Sequence, residues 1–113
     1  MNSRSTDVVK DEQMKIERHY VAEMSIYKFG ALNDLVMEVH ERETHDLSSP
    51  TRFYAHFKHA EVKDGCALTG TFGNGRTERE AILDYAKEIS LKLLVLDAMD
   101  KDKRRELRVP RLV

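Results

Sequence analysis

Residues 52–72 most tightly limit the folds open to this 113-residue chain. From Arg52 to Val62 the side chains alternate, with Phe53, Ala55 and Phe57 on one face and Tyr54, His56 and Lys58 on the other. A period of two is the mark of a strand with one buried face. Lys63-Asp64-Gly65 follows, where the glycine can supply the positive φ of a tight turn. Cys66 to Phe72 then returns as a partner, so a β-hairpin of 52–62 with 66–72 is expected. Residues 33–41 alternate in the same way. Leu35, Met37 and Val39 face one side, and Val36, Glu38 and His40 the other. Between these runs, Thr44 to Thr51 contains Ser48-Ser49-Pro50 and reads as a loop.

Gly73-Asn74-Gly75 interrupts the sheet pattern. Thr77-Glu78-Arg79-Glu80 then has the form of a capping box. The Thr77 hydroxyl can accept from the Glu80 N–H while the Glu80 carboxylate reaches back. Ala81, Ile82, Tyr85, Ala86 and Ile89 recur at helical spacing, which predicts an amphipathic helix over about 77–90. Leu93 to Leu96 is short, apolar and β-capable, and could also extend the helix. Arg105 to Val109 alternates until Pro110. The order β-β-β-α-β(-β) predicts an α+β fold, an antiparallel sheet with a helix packed on one face. Ahead of it, Asp7 to Met24 is highly charged, and only Val9, Gln13, Ile16 and Tyr20 make a thin helical stripe. Residues 1–24 are therefore expected to be an extension, helical or disordered, and 25–113 a single domain.

Length and composition narrow the class. One domain is the expectation for this length. No apolar run approaches the ~18–20 residues that span a bilayer, and Met1 to Asp7 has no apolar core of a secretory signal. Cys66 is the single cysteine and cannot form an internal disulfide, which favours a reducing, cytoplasmic setting. The net charge of −1 argues against a general nucleic-acid coat. It is a cancellation, however. Residues 1–50 carry six Lys/Arg against ten Asp/Glu, and residues 51–113 carry thirteen against ten. The positive excess is densest from Lys101 to Arg111, which suits either a solvated terminus or a local phosphate contact.

Catalytic and metal motifs are not expected. His40 and His45 are five apart and do not share a helix face as HExxH requires. His56 and His59 are three apart on an expected strand and point to opposite faces. One cysteine leaves no thiolate-rich zinc set. Cys66, beginning a strand, is read as a small, partly buried packing residue rather than a nucleophile. Glu38, Glu61 and Asp64 do not make a nuclease-like carboxylate cluster. No enzyme activity, cofactor or metal is expected. The glycine-bearing junction at 73–77 leads into a capped helix and could present free N–H groups to an anion, with Arg76 adding a bidentate donor. It also suits an ordinary strand-to-helix turn. Phe53 and Phe57 are expected in the core, while Phe72, at a strand end, is the better stacking platform.

Two resemblances rest on these residues. Tyr54 to Phe57 through Asp64-Gly65, then Gly73 to Ile82, resembles a HicB-type antitoxin domain, a β-β-β-α-β partial RNase-H-like fold with a G-x-T-x-E-E-A helix entry. Arg79 stands where that family usually has Glu, and no DNA-binding appendage follows. That resemblance implies a protein-interaction module with a small toxin partner. The longer stretch from Asp34 to Leu112 contains FYAHF, EVKDG, GNGRTEREAILDYAKEIS, LLVLDA and RRELRVPRL. It resembles the phage anti-Thoeris sponges, which sequester cyclic ADP-ribose immune signals in the host cytosol. This resemblance implies an antiparallel sheet with C-terminal helical elements, a dimer or higher oligomer, and ligand pockets between protomers. For such a ligand, chemistry nominates Arg76, Arg104, Arg105 and Arg108 for the pyrophosphate. Phe72 is the stacking residue, and Asn74 and Gly75 supply hydrogen bonds at the helix entry. Arg104 and Arg108 would share a strand face, with Arg105 pointing away.

Overall fold

A computed structural model describes residues 15–17 and 23–113. The chain is α+β. Its elements are β1 (Glu23–Met24), α1 (Ile26–Leu32), β2 (Met37–Glu41), β3 (Phe53–Phe57), β4 (Ala60–Asp64) and β5 (Ala67–Thr69), then β6 (Gly73–Gly75), α2 (Glu78–Ile89), β7 (Leu93–Leu96), β8 (Arg105–Arg108) and β9 (Arg111–Leu112). Two antiparallel sheets carry the structure, in the orders β2-β3-β6 and β5-β4-β7-β8. A short parallel pair joins Glu23 to Arg111 and Met24 to Leu112, so the folded unit takes in the last two residues of the expected extension. The rest of the helical stripe expected over 7–24 falls mainly outside the described residues.

The long strand expected at 52–62 is two strands. Lys58 and His59 break it, and His59 adopts a φ of 62°. Asp97 N–H donates to the His59 carbonyl at 3.0 Å and Lys58 N–H to the Val36 carbonyl at 2.8 Å, so each side of the break is tied to a different part of the fold. The inward positions change phase across the break, from Ala55 and Phe57 to Ala60 and Val62, a slip of one residue that an unbroken strand would not show. The turn expected at Lys63-Asp64-Gly65 falls later, because Lys63 and Asp64 still belong to β4. Asp64 pairs with Ala67, leaving Gly65 and Cys66 as a two-residue loop. Positive φ falls on Gly65 alone, at 62°, as a type II′ turn requires.

The strand expected over 33–41 shortens to β2, because α1 precedes it. Ser25 caps α1 by accepting from Lys28 N–H at 3.1 Å, and Asp34, at a φ of 56°, turns the chain out of it. Helix α2 starts where the capping box predicts. Glu80 N–H donates to Thr77 Oγ1 at 3.1 Å. The reciprocal contact differs by one residue, for Glu80 Oε1 accepts from Arg76 N–H, not from Thr77. After α2 the described chain forms only strands, so the C-terminal helical elements implied by the sponge resemblance reduce to α2 itself.

The core lies between the sheets and α2. Ile26, Phe29, Phe57, Tyr85, Ile89, Leu94 and Val109 are all buried in one cluster. The Phe57 ring meets the Tyr85 ring edge-on at 5.6 Å and the Phe29 ring at 6.2 Å. Phe57 is in the core as expected; Phe53 is only half-buried, with the Arg52 guanidinium 5.0 Å from its ring centre.

Gly73-Asn74-Gly75, expected to interrupt the sheet, is a strand. It pairs with β3 through Phe53–Gly75, Tyr54–Asn74 and Ala55–Gly73. The glycines are needed because α2 crosses directly over them. A Cβ on Gly73 would lie 2.0 Å from the Tyr85 backbone nitrogen, and one on Gly75 would lie 2.4 Å from that of Ala81. Glycine in a strand commonly marks such a close backbone approach. The sheet β2-β3-β6 therefore has one face covered by the helix and the other open.

Candidate ligand-binding face

The open face of β2-β3-β6 carries the residues that alternate away from the core. Register sets them side by side. Glu38 is opposite His56, and His40 is opposite Tyr54. Tyr54 is opposite Asn74 on the third strand. The rings stack, with His40 and Tyr54 at 4.6 Å between centroids and His40 and His56 at 5.3 Å, both pairs within 17° of parallel. Phe72, 46% exposed, meets Tyr54 edge-on at 5.7 Å.

Arg42 organises the end of this face. It lies just beyond β2, where its backbone N–H still donates to the Arg52 carbonyl at 2.7 Å. Its Nη1 donates to the Thr51 carbonyl and, at 2.8 Å, to Asn74 Oδ1. Its guanidinium is 4.4 Å from the Tyr54 ring centre and 5.8 Å from that of Phe72, so it works as a cation over two aromatic faces. Nothing in the motifs of the sequence marks Arg42 as a site residue. Its signal there was only its place at i+2 from His40 in the alternating run.

A cavity of about 690 Å³ opens beside these rings. Tyr54, His56, Phe72, Ala60, Ala98 and Met99 give it a largely apolar wall, and Glu61, Asp97, Asp100 and His59 its polar groups. His59 Nδ1 is 3.3 Å from Asp97 Oδ1. The size falls in the ~300–1,000 Å³ range of small-molecule sites. Met99, 96% exposed, stands free at the rim. The carboxylates suit hydroxyl or amine donors of a ligand; anionic groups would have to reach past them to Arg42.

The sequence-selected residues do not converge. Phe72 lines the cavity. Asn74 is engaged on both sides, its side chain by Arg42 and its N–H by Asp84 Oδ2 at 2.8 Å. Gly75 is buried under α2 and serves helix packing. Arg76 is exposed and pairs with Glu80 at 3.5 Å. The N–H groups expected to form an anion cradle at this junction are therefore taken by the chain's own side chains. Asp84, Glu80 and Thr77 accept from the N–H groups of Asn74, Arg76 and Glu80.

The C-terminal arginines are likewise apart. Arg104 precedes β8, and its Nη2 is 2.9 Å from Glu106 Oε2. Lys63 stands 3.7 Å from the same carboxylate, and together the hydrogen bond from Arg104 and the charge of Lys63 hold the Glu106 carboxyl below its usual range. Arg105 Nη1 donates to the Asn33 carbonyl at 2.9 Å. Arg108 lines a different groove, of about 430 Å³, with Lys63 and Lys92. Cys66, expected to be partly buried, is exposed in the β4–β5 turn, because it occupies the loop and not the strand.

No known protein family, curated protein or solved structure matches the chain at a significant level. No helix among the described residues is long and apolar enough to cross a membrane.

Proposed function

We propose that the protein is a non-enzymatic binder of a cyclic ADP-ribose isomer, sequestering this immune signal for a phage in the host cytosol. The observation that supports this reading is the cavity lined by Tyr54 and Phe72, two rings over which Arg42 is held, although Arg42 itself lines a neighbouring cavity with Glu41 and Glu43. A nucleotide-derived ligand asks for an aromatic platform, acceptors for ribose hydroxyls and the adenine amine, and a bidentate cation for phosphate. Phe72 and Tyr54 offer the first, Asp97, Asp100 and Glu61 the second, and Arg42 the third. Exposed Met99 at the rim gives a second protomer an apolar contact with which to close the site, in keeping with a dimer or higher oligomer.

Calorimetry against the cyclic ADP-ribose isomers tests this directly. Tight 1:1 binding per site is expected, with intact ligand recovered after heat denaturation. Phe72→Ala and Arg42→Ala should each weaken binding by about tenfold or more, from ~1.5–3 kcal/mol of lost stacking or charged hydrogen bonding. Arg108→Ala, in the other groove, should leave affinity unchanged. A folded protein that binds no isomer overturns the reading; capture of a small toxin instead would favour the antitoxin resemblance.

A further inference from the structure

On the open face, Glu38, His40 and His56 bring one carboxylate and two imidazoles together. Each offers one donor atom, and the three lie within 4.8 Å of one another. We propose that these three residues form a site for a divalent first-row transition ion of the zinc class.

The geometry is close to what such an ion needs. His40 Nε2 is 3.6 Å from Glu38 Oε1, and His56 Nε2 is 3.9 Å from the same oxygen. With metal–donor bonds of ~2.0–2.2 Å, tetrahedral donors stand about 3.4 Å apart. The two measured edges exceed that by a few tenths of an ångström, within reach of small side-chain rotations. The donors also come from rigid elements. Glu38 and His40 are two apart on β2 and share a face, and β3 register puts His56 directly opposite Glu38.

His56 is set for ligation by a second contact. Its Nδ1 is 3.0 Å from the Phe57 carbonyl oxygen. A carbonyl only accepts, so Nδ1 carries the proton of the neutral ring and Nε2, facing Glu38, keeps its lone pair. This is how metal-ligating histidines are commonly oriented. Stacking of His40 on Tyr54 fixes the second imidazole. The nearest cation along β2, Arg42, is drawn away to Thr51 and Asn74 and leaves the carboxylate to the ion. All three ligands are half-buried, which leaves an ion an open coordination position. Two imidazoles and a carboxylate favour zinc, cobalt or nickel over magnesium or calcium.

The site does not depend on the proposed nucleotide. His56 does line the cavity, so an ion there would stand at its wall.

The test is titration of the chelator-stripped full chain with zinc chloride, and with cobalt chloride followed by visible absorption. One ion per chain at micromolar affinity or tighter is expected, with cobalt bands of a four- or five-coordinate N/O site. His40→Ala, His56→Ala and Glu38→Gln should each reduce affinity by about tenfold or more, whereas Cys66→Ser and His59→Ala should not. Nitrogen-15 spectra of the unaltered protein keep the test independent of variant folding: zinc should shift the Nε2 signals of His40 and His56 together. Absence of stoichiometric binding, binding retained in the folded His40→Ala/His56→Ala protein, or shifts confined to other histidines would overturn the proposal.

Discussion

Gly73→Ala should cost about 4 kcal/mol or more of stability, enough to threaten a domain whose total is typically ~5–15 kcal/mol. The new Cβ would meet backbone atoms, with Tyr85 N at 2.0 Å, Ala81 O at 2.4 Å and Tyr85 Cα at 2.6 Å. No side-chain rotation relieves a clash with backbone. Either α2 moves off the sheet or β6 leaves β3, and both expose core surface. Gly75→Ala should act similarly, since its Cβ would meet Ala81 N at 2.4 Å. Gly70→Ala is the control, because nothing lies within 4 Å of a Cβ there. Thermal melts should place the Gly73 variant at least about 10 °C below the parent and the Gly70 variant near it. Equal midpoints for Gly73→Ala and the parent would mean that α2 does not cross β6 at this distance.

The second large effect belongs to Tyr85. It is 1% exposed, on the face of α2 that meets Phe57. Truncation to alanine removes a full aromatic ring from the core and should cost about 3–5 kcal/mol. Its hydroxyl adds a pH dependence. Burial pushes the phenol up to about 12, against a smaller opposing effect from a backbone hydrogen bond with Phe57. An unfolded tyrosine ionises near 10. Below that pH both states keep the proton and the contribution is constant. Between pH 10 and about 12 only the unfolded state loses it, so stability falls by an amount on the order of 2–3 kcal/mol. Denaturant titrations at pH 9 and pH 11.5 should show this loss in the parent and a smaller one in Tyr85→Phe. Parallel pH profiles for the two proteins would contradict the burial of the hydroxyl.

Features governed by neighbours along the chain were legible in the sequence. The β4–β5 turn depends on Gly65 alone for its positive φ, and the start of α2 depends on Thr77 accepting from Glu80 three residues later. The core faces of β2 and β3 follow from alternation, because a strand places every second side chain on the same side. Helix α1 left a fainter local sign, the Ser25 cap, which the alternation of 33–41 overshadowed.

The candidate site was less legible because its members meet across the sheet. Along the sequence the histidine nearest to His40 is His45, and the one nearest to His56 is His59. The register instead set His40 and His56 beside each other, with Glu38 opposite His56. Arg42 and Asn74 are 32 positions apart and meet only because β6 pairs with β3. Charge singles out Arg76, Arg104, Arg105 and Arg108, but charge does not say which carboxylate or carbonyl a guanidinium will find. Three of them have partners elsewhere, and Arg108 lies in another groove.

Gly73 and Gly75 mark the division most clearly. The order of residues shows that side-chain alternation stops here and that a capped helix follows. Whether the glycines served a turn, a phosphate or a close approach was decided by tertiary structure, since α2 folds back onto the strand that precedes it. A turn needs only the torsions of its own residues. A close approach needs a second backbone, and where that backbone lies depends on packing of Tyr85 on α2 against Phe57 on β3, far back in the chain.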